Sequence, residues 1–270
     1  MNLSEGTATR GLVEKLLTIN GWAVFLFLYV PISIVMIFSF SDHPNVGIWG
    51  GFTLDWYDRM LGNDQLMRAL RNSVIVGLVS TFVSTILGTA AAIALERYRR
   101  WIGKRPFDAL LYLPVIIPDV TMAVMLLIWF AQLNFRFGLT TILLSHIAFN
   151  ISFVAIVVRA RLANMDDSLE EAAADLYAGR WQTFRRVTLP LIWPGVIGGA
   201  LLALTLSLDD VVITSLVQGP GATTLPVYVF GLIRRSVTPE INAVSTVMLV
   251  ASMLLVLMSL GFQRRAETRE

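Results

Sequence analysis

The chain has 270 residues, 56% hydrophobic and 15% charged, and it contains no cysteine. Soluble domains carry about 25% charged residues, so this little charge with a mean hydropathy of +0.69 points to an integral membrane protein solvated partly by lipid. Disulfides, thiolate metal sites and cysteine nucleophiles are excluded; two histidines, His43 and His146, leave little room for zinc, and a net charge of +2 gives no reason to expect nucleic acid.

Charge-free runs predict the elements in chain order. No charge falls between Lys15 and Asp42, which predicts a first span over about residues 17–41. It follows a polar stretch with no small-residue cleavage site and is expected to be retained rather than removed as a signal peptide. The segment after it holds Trp49, Phe52, Trp56 and Tyr57, aromatics suited either to anchoring at a membrane interface or to meeting an alkylammonium. Trp56, flanked by Asp55 and Asp58, is the one singled out for the second role.

A second span is expected over 72–96, where Ser80, Ser84, Gly88 and Ala92 recur every four residues. Small residues at that spacing let helices approach closely in lipid, as do Gly195 and Gly199 further on. The basic run Arg97, Arg99, Arg100, Lys104 and Arg105 reads as a topology anchor at the headgroups. A third span over 109–133 is interrupted only by Asp119, and a fourth is expected over 139–159. After a loop at 160–189 come a fifth span over 190–212 and a sixth over 241–263. The uncharged stretch between Asp210 and Arg234 contains Gln218-Gly219-Pro220-Gly221 and Pro226, so it is read as an external loop with a partly inserted segment. The expected fold is all-α integral membrane, six transmembrane helices in a single domain over 1–270. With the N-terminus inside, 15 of the 21 Lys and Arg fall on inner segments, which predicts both termini in the cytoplasm.

Acids inside spans are expensive, about 2.5–3.5 kcal/mol at a helix centre, and they tend to line a wet path or to be paired. Asp119 lies eleven residues past Asp108, roughly 16 Å along a continuous helix, with Pro114 and Pro118 before it. Asp209 and Asp210 lie about nineteen residues past Pro190, roughly 28 Å on, near the outer mouth. No basic residue stands in a span to neutralise the three, which suits passage of a cation. Ser207, Asp119, Asp209, Asp210 and Trp56 are therefore the candidate solute path, with Asp209 favoured over its neighbour. The alternative is that Asp209 caps a helix end and Asp119 bonds a neighbouring helix. His43 sits just outside a span and His146 reads as isolated, so no nucleophile–base pair forms; the catalytic and metal sets are empty.

The loop at 160–189 is amphipathic. Ser168 is a candidate N-cap, Glu170 and Glu171 fall in a first turn, Leu169, Ala172, Ala173 and Leu176 share a face, and Gly179 can end the helix. A second short helix from Trp181 then enters the membrane at Leu189-Pro190. Glu171-Ala172-Ala173, three residues, Tyr177, nine residues, Val187, one residue and Leu189-Pro190 resemble the EAA loop of permease subunits of binding-protein-dependent ABC importers, the MetI-like type I family. Tyr177 stands where that family carries glycine. The resemblance implies that Glu170, Glu171, Ala172, Ala173, Asp175, Tyr177 and Gly179 dock on an ATP-hydrolysing subunit.

Ser207-Leu208-Asp209-Asp210 and Thr238-Pro239-Glu240-Ile241-Asn242 further resemble permeases of spermidine/putrescine importers, of the second-subunit type. The resemblance implies a transport subunit of the bacterial inner membrane that is not itself an enzyme. Its implied partners are two ATPase subunits carrying ATP and Mg, a second related permease and a periplasmic solute-binding protein, with no cofactor in this chain. The chain indeed has no Gly-x4-Gly-Lys-Ser/Thr phosphate loop. Another small amine or amino-acid-like solute is the alternative substrate, and a secondary carrier or channel the alternative class; a carrier would explain the acids but not the loop.

Overall fold

Backbone in lipid must satisfy its own hydrogen bonds, which favours helices, and helices are what this chain forms. The computed structural model describes residues 3–98, 101–166, 168–235 and 238–267, with side chains for 13–98, 101–166, 168–234 and 238–254. Arg99, Arg100, Asp167 and Arg269 lie outside the described residues, as do the side chains of Arg10, Arg235, Arg264 and Arg265. Among the described residues the one strand-like pairing is the bridge between Ser41 and Phe52. The helices are α1 (Leu3–Phe38), α2 (Asp55–Gly62), α3 (Asp64–Arg97), α4 (Lys104–Ile116), α5 (Asp119–Gln132), α6 (Leu139–Ala163), α7 (Ser168–Asp175), α8 (Arg180–Thr183), α9 (Leu189–Asp209), α10 (Val212–Val217), α11 (Leu225–Arg235) and α12 (Pro239–Glu267). A π-helical turn, Phe184–Thr188, joins α8 to α9.

The chain divides into two units. The first comprises Met1–Asn63 and Leu232–Leu254. Its apolar span Val13–Phe38 has none of its hydrophobic window buried. The segment after it folds on itself: Ser39 Oγ donates to the Met36 carbonyl at 2.6 Å, and the Phe40 and Phe52 rings stack at 5.5 Å.

The second unit comprises Asp64–Gly231 and Leu255–Glu270. Here α3, α6 and α9 pack against one another around Ala92, Leu95, Val154, Val158, Ile192 and Ala203. The small-residue stripe is what lets α3 approach: Ser80, Ser84, Gly88 and Ala92 are all buried. A Cβ on Gly88 would stand 2.8 Å from the Ile151 carbonyl and 2.8 Å from Val154 Cβ, and Gly199 of α9 meets the same Val154 at 3.3 Å. Val154 is thus the knob around which three helices close.

The six expected spans are not all counted among the described residues. Among the described residues four helices are long and apolar enough to cross a membrane, and a bent pair makes a fifth. That pair is the expected third span: α4 and α5 turn by 116° at Ile117-Pro118. The residue before proline is pushed out of the α region, and Ile117 is accordingly extended at φ −76°, ψ 133°. Asp119 therefore opens α5, and its depth cannot be counted along one continuous helix. The expected sixth span corresponds to α12, 29 residues long, whose apolar part among the described residues is Pro239–Leu254.

Gly88→Ala should lower the thermal midpoint of the detergent-solubilised protein, since overpacking costs about 1–3 kcal/mol. Gly231→Ala, in α11 with nothing near its Cβ position, should not, because alanine in an open helix position gains about 0.5–1 kcal/mol. Equal midpoints for the two variants would dismiss the close approach at Gly88.

Candidate functional site

Two breaks in helices of the second unit build a cleft of about 310 Å³ lined by Asp119, Met122, Phe149, Phe153, Thr205, Leu206, Asp209 and Asp210. The first break starts α5 at Asp119. The second follows Asp209, where Asp210 is extended at φ −68°, ψ 124° and α9 stops. No Lys, Arg or His is among the lining residues. Phe149 and Phe153, one helical turn apart on α6, meet edge to face at 6.4 Å. The arrangement offers negative charge and aromatic faces in a partly enclosed space, the chemistry that suits an ammonium group.

The three acids differ in their surroundings. Asp119 and Asp209 are exposed and make no ion pair or side-chain hydrogen bond with described residues. Asp210 is only 10% exposed at its side chain and lies 3.3 Å from His146 Nε2. Its Oδ1 accepts from the Ile213 amide at 3.1 Å and its Oδ2 from the Thr214 amide at 2.7 Å, so Asp210 caps α10. The expectation of three unpaired acids is therefore corrected for Asp210.

His146, read from the sequence as isolated, is fully buried and central to a polar cluster. Its Nδ1 lies 2.6 Å from Ser207 Oγ and its Nε2 3.0 Å from Thr214 Oγ1. Ser207 in turn lies 3.0 Å from Ser80 Oγ on α3. Ser207 thus belongs to this cluster and does not line the cleft. Sequence spacing could not join His146 to partners 61 and 68 positions away. The available signal was the cost of any imidazole in an apolar span. Trp56 lies in the first unit, where its indole N–H donates to the Ser41 carbonyl at 2.6 Å and Arg59 sits 4.8 Å over its ring. Its π-face already carries a cation of this chain.

The loop after α6 shows a division of labour between adjacent glutamates. Glu170 is half-buried and receives Arg97 at 2.9 Å and Thr188 Oγ1 at 2.5 Å, tying α7 to α3 and to the π-helical turn. Glu171 and Asp175 are exposed, as are Ala172 and Gly179, while Ala173 is half-buried. Leu176, Tyr177 and Trp181 project with 83%, 97% and 71% of their surface free. Ser168 opens α7, and its amide donates to Asp166 Oδ1 at 2.9 Å, holding that carboxyl below its ordinary range.

Gly179 does not end the helix; Tyr177 does. The Tyr177 amide bonds the Ala174 carbonyl and the Ala178 amide the Ala173 carbonyl, the paired bonds of a Schellman ending. Tyr177 takes the left-handed conformation, φ 59°, at the position where the resemblance expected glycine. Gly179 is extended, φ −67°, ψ 156°, and precedes α8. Next to α3, Arg159 joins Glu96 at 2.8 Å and Asp108 at 2.5 Å, a pairing of α6 with α3 and α4 that the sequence analysis did not foresee.

The family model for "Binding-protein-dependent transport system inner membrane component" matches residues 84–270, which includes the loop, the cleft and α12. The chain belongs to this family. The permease is 42% identical over 233 residues, 84% of this chain and 83% of the relative, to the putrescine transport system permease protein PotI of Escherichia coli (strain K12). It is 38% identical over 238 residues to the spermidine/putrescine transport system permease protein PotC of the same strain, covering 88% of this chain and 89% of that one. A crystal structure of a bacterial ABC transporter that imports the acidic polysaccharide alginate matches with a TM-score of 0.74 at 20% identity, over 98% of this chain and 99% of that chain. That likeness establishes the fold. The permease is a multi-pass inner-membrane protein of the ABC importer type.

A left-handed conformation costs a non-glycine residue about 1–2 kcal/mol. Tyr177→Gly should therefore keep or strengthen the last turn of α7, whereas Tyr177→Val should fray it. Amide hydrogen exchange at Leu176–Ala178 reads the difference, and slower exchange in the valine variant would contradict the assignment.

Proposed function

We propose that this permease moves a small organic cation of the polyamine class inward across the bacterial inner membrane, with both termini in the cytoplasm. The observation that carries the reading is the cleft in which Asp119 and Asp209 stand beside Phe149 and Phe153 without an ion-pair or hydrogen-bond partner among the described residues. An ammonium group leaving water loses several kcal/mol unless an opposite charge meets it, and an aromatic face contributes roughly 0.5–2 kcal/mol more. Identities of 42% and 38% to permeases named for putrescine and spermidine support the substrate class.

In this reading the energy comes from two separate ATPase subunits, which bind ATP and Mg. A second, related permease completes the pathway, and a periplasmic solute-binding protein delivers the cation. The ATPase contact is the outer face of α7 with Leu176, Tyr177 and Trp181 as apolar anchors, a helix laid in a groove. Glu171 faces outward beside them, whereas Glu170 holds α7 to the permease. The excess of basic residues on the α7 side supports the orientation.

Two experiments test the reading. Asp119→Asn and Asp209→Asn remove charge but keep shape. Each should cut uptake of radiolabelled putrescine by the assembled transporter about tenfold or more, a change of about 1.4 kcal/mol, with the amount of complex retained. Asp210→Asn should lose less than either, because Asn caps a helix nearly as well as Asp. Normal uptake in both of the first two variants would rule out a cation path. Separately, Glu171→Lys should leave the permease inserted but break the link between ATP hydrolysis and uptake; a normal ratio of the two would reject the docking role.

A further inference from the structure

Two adjacent acids end α9, and they point to different tasks. Asp210 has both oxygens engaged by α10 amides and lies against His146; Asp209 is exposed and lines the cleft. Successive residues on a helix are separated by about 100°, so whatever fixes Asp210 also fixes the direction of Asp209.

His146 occupies the place from which that can be done. It comes from α6, touches the end of α9 through Ser207 and the start of α10 through Thr214, and closes on Asp210 between them. Its Nε2–H faces an anionic oxygen, which fixes the tautomer. Nδ1 then accepts from the Ser207 hydroxyl, and Ser207 Oγ accepts from Ser80. In that arrangement each hydroxyl along the chain from Ser80 to Asp210 has an acceptor, so the cluster sits buried without an orphaned proton. Phe149, at 5.3 Å from the imidazole, carries the same ring packing to the wall of the cleft.

We propose that His146 is a positioning residue for transport: by holding Asp210 against the start of α10 it keeps that cleft-lining carboxylate engaged by this chain's own groups, with 10% of its side chain exposed, and leaves Asp209 as the acid that α9 offers to the cation. The inference rests on the cation-path reading above and adds the group that sets which acid meets the cation. It places His146 in a role that charge alone would not reveal, because the imidazole never touches the solute.

The two amide substitutes for histidine separate its two arms. In His146→Gln the amide nitrogen falls near the Nε2 position and retains a donor toward Asp210 and Thr214; in His146→Asn the shorter amide reaches only Ser207. The quantity to measure is putrescine taken up per ATP hydrolysed, in proteoliposomes holding the complete transporter with loaded binding protein in excess. A variant that only lowers the amount of folded complex reduces uptake and hydrolysis together and leaves this ratio unchanged.

His146→Gln should keep the ratio within about twofold of wild type, and His146→Asn should lower it about tenfold or more, the scale of one buried hydrogen bond to a charged group. In an Asp210→Asn background the further loss caused by His146→Asn should disappear, since the charge it acts through is gone. Equal effects of the two substitutions, whether large or nil, a greater loss in the glutamine variant, or an undiminished loss in the Asp210→Asn background would each overturn the positioning role. Asp119→Asn and Asp209→Asn run in the same assay separate the two readings. An unchanged ratio in these removes the cation path itself, whereas a reduced ratio there with the wrong His146 pattern removes only the role of His146.

Discussion

An ionisable group in an apolar span must be met by a partner or by a wet cavity, and the polar groups of this permease divide along that line. His146 and Asp210 meet each other and are enclosed, with Ser207, Thr214 and Ser80 completing the set. Asp119 and Asp209 meet no described side chain and stand on the cleft. The first group fixes geometry and the second leaves charge available. Burying Asp210 without its amides and imidazole would cost several kcal/mol, so the corner between α9 and α10 and the buried cluster stabilise one another.

Breaks in regular structure place the acids on the cleft. A continuous α4–α5 helix would carry Asp119 past the cleft at a depth set by the 1.5 Å rise. The turn at Ile117-Pro118 instead places it at the head of α5. At the other break, Asp210 ends α9 and caps α10. Irregular backbone of this kind is tolerated at membrane depth only where it faces protein or water, and both breaks border the same cleft. In the loop beyond α10, Gly219 lets the backbone approach the segment before α6, since a Cβ there would land on the Phe137 carbonyl.

Membrane residence, the helical class and the loop after α6 were legible because each is written in local composition: charge-free runs of span length, small residues every fourth position, acids in a first turn. The contrast between Asp209 and Asp210 was partly legible, because adjacent residues cannot share a direction. The engagement of Asp210 by His146 was not, because it depends on α6 packing beside α9, a tertiary fact absent from any window of sequence. Counting depth by rise per residue failed at Asp119, although Pro118 carried the warning in its effect on Ile117. Trp56 has a neighbour that its flanking acids do not announce. Its flanking acids are visible in sequence, but Arg59 over its ring is one helical turn away, and only the folded helix shows which side it takes.

The pairings around the loop follow from the modest worth of partly exposed ion pairs, about 0–1 kcal/mol each. Arg97 with Glu170 and Arg159 with Glu96 and Asp108 have side chains between 19% and 36% exposed, so none accounts for much stability. Their value is in register. Glu96 and Arg97 are neighbours at the end of α3, and between them they fix α6, α4 and α7 against that one point. Glu170 adds Thr188 on the same oxygen as Arg97. The inner side of α7 is thereby held to its own bundle by charge-assisted bonds that demand geometry, while Leu176 and Tyr177 just past its end and Trp181 in α8 stand in the open. A short helix of 8 residues is marginal on its own. It is the attachment through Glu170, together with the Schellman ending at Tyr177, that lets it present a defined apolar face.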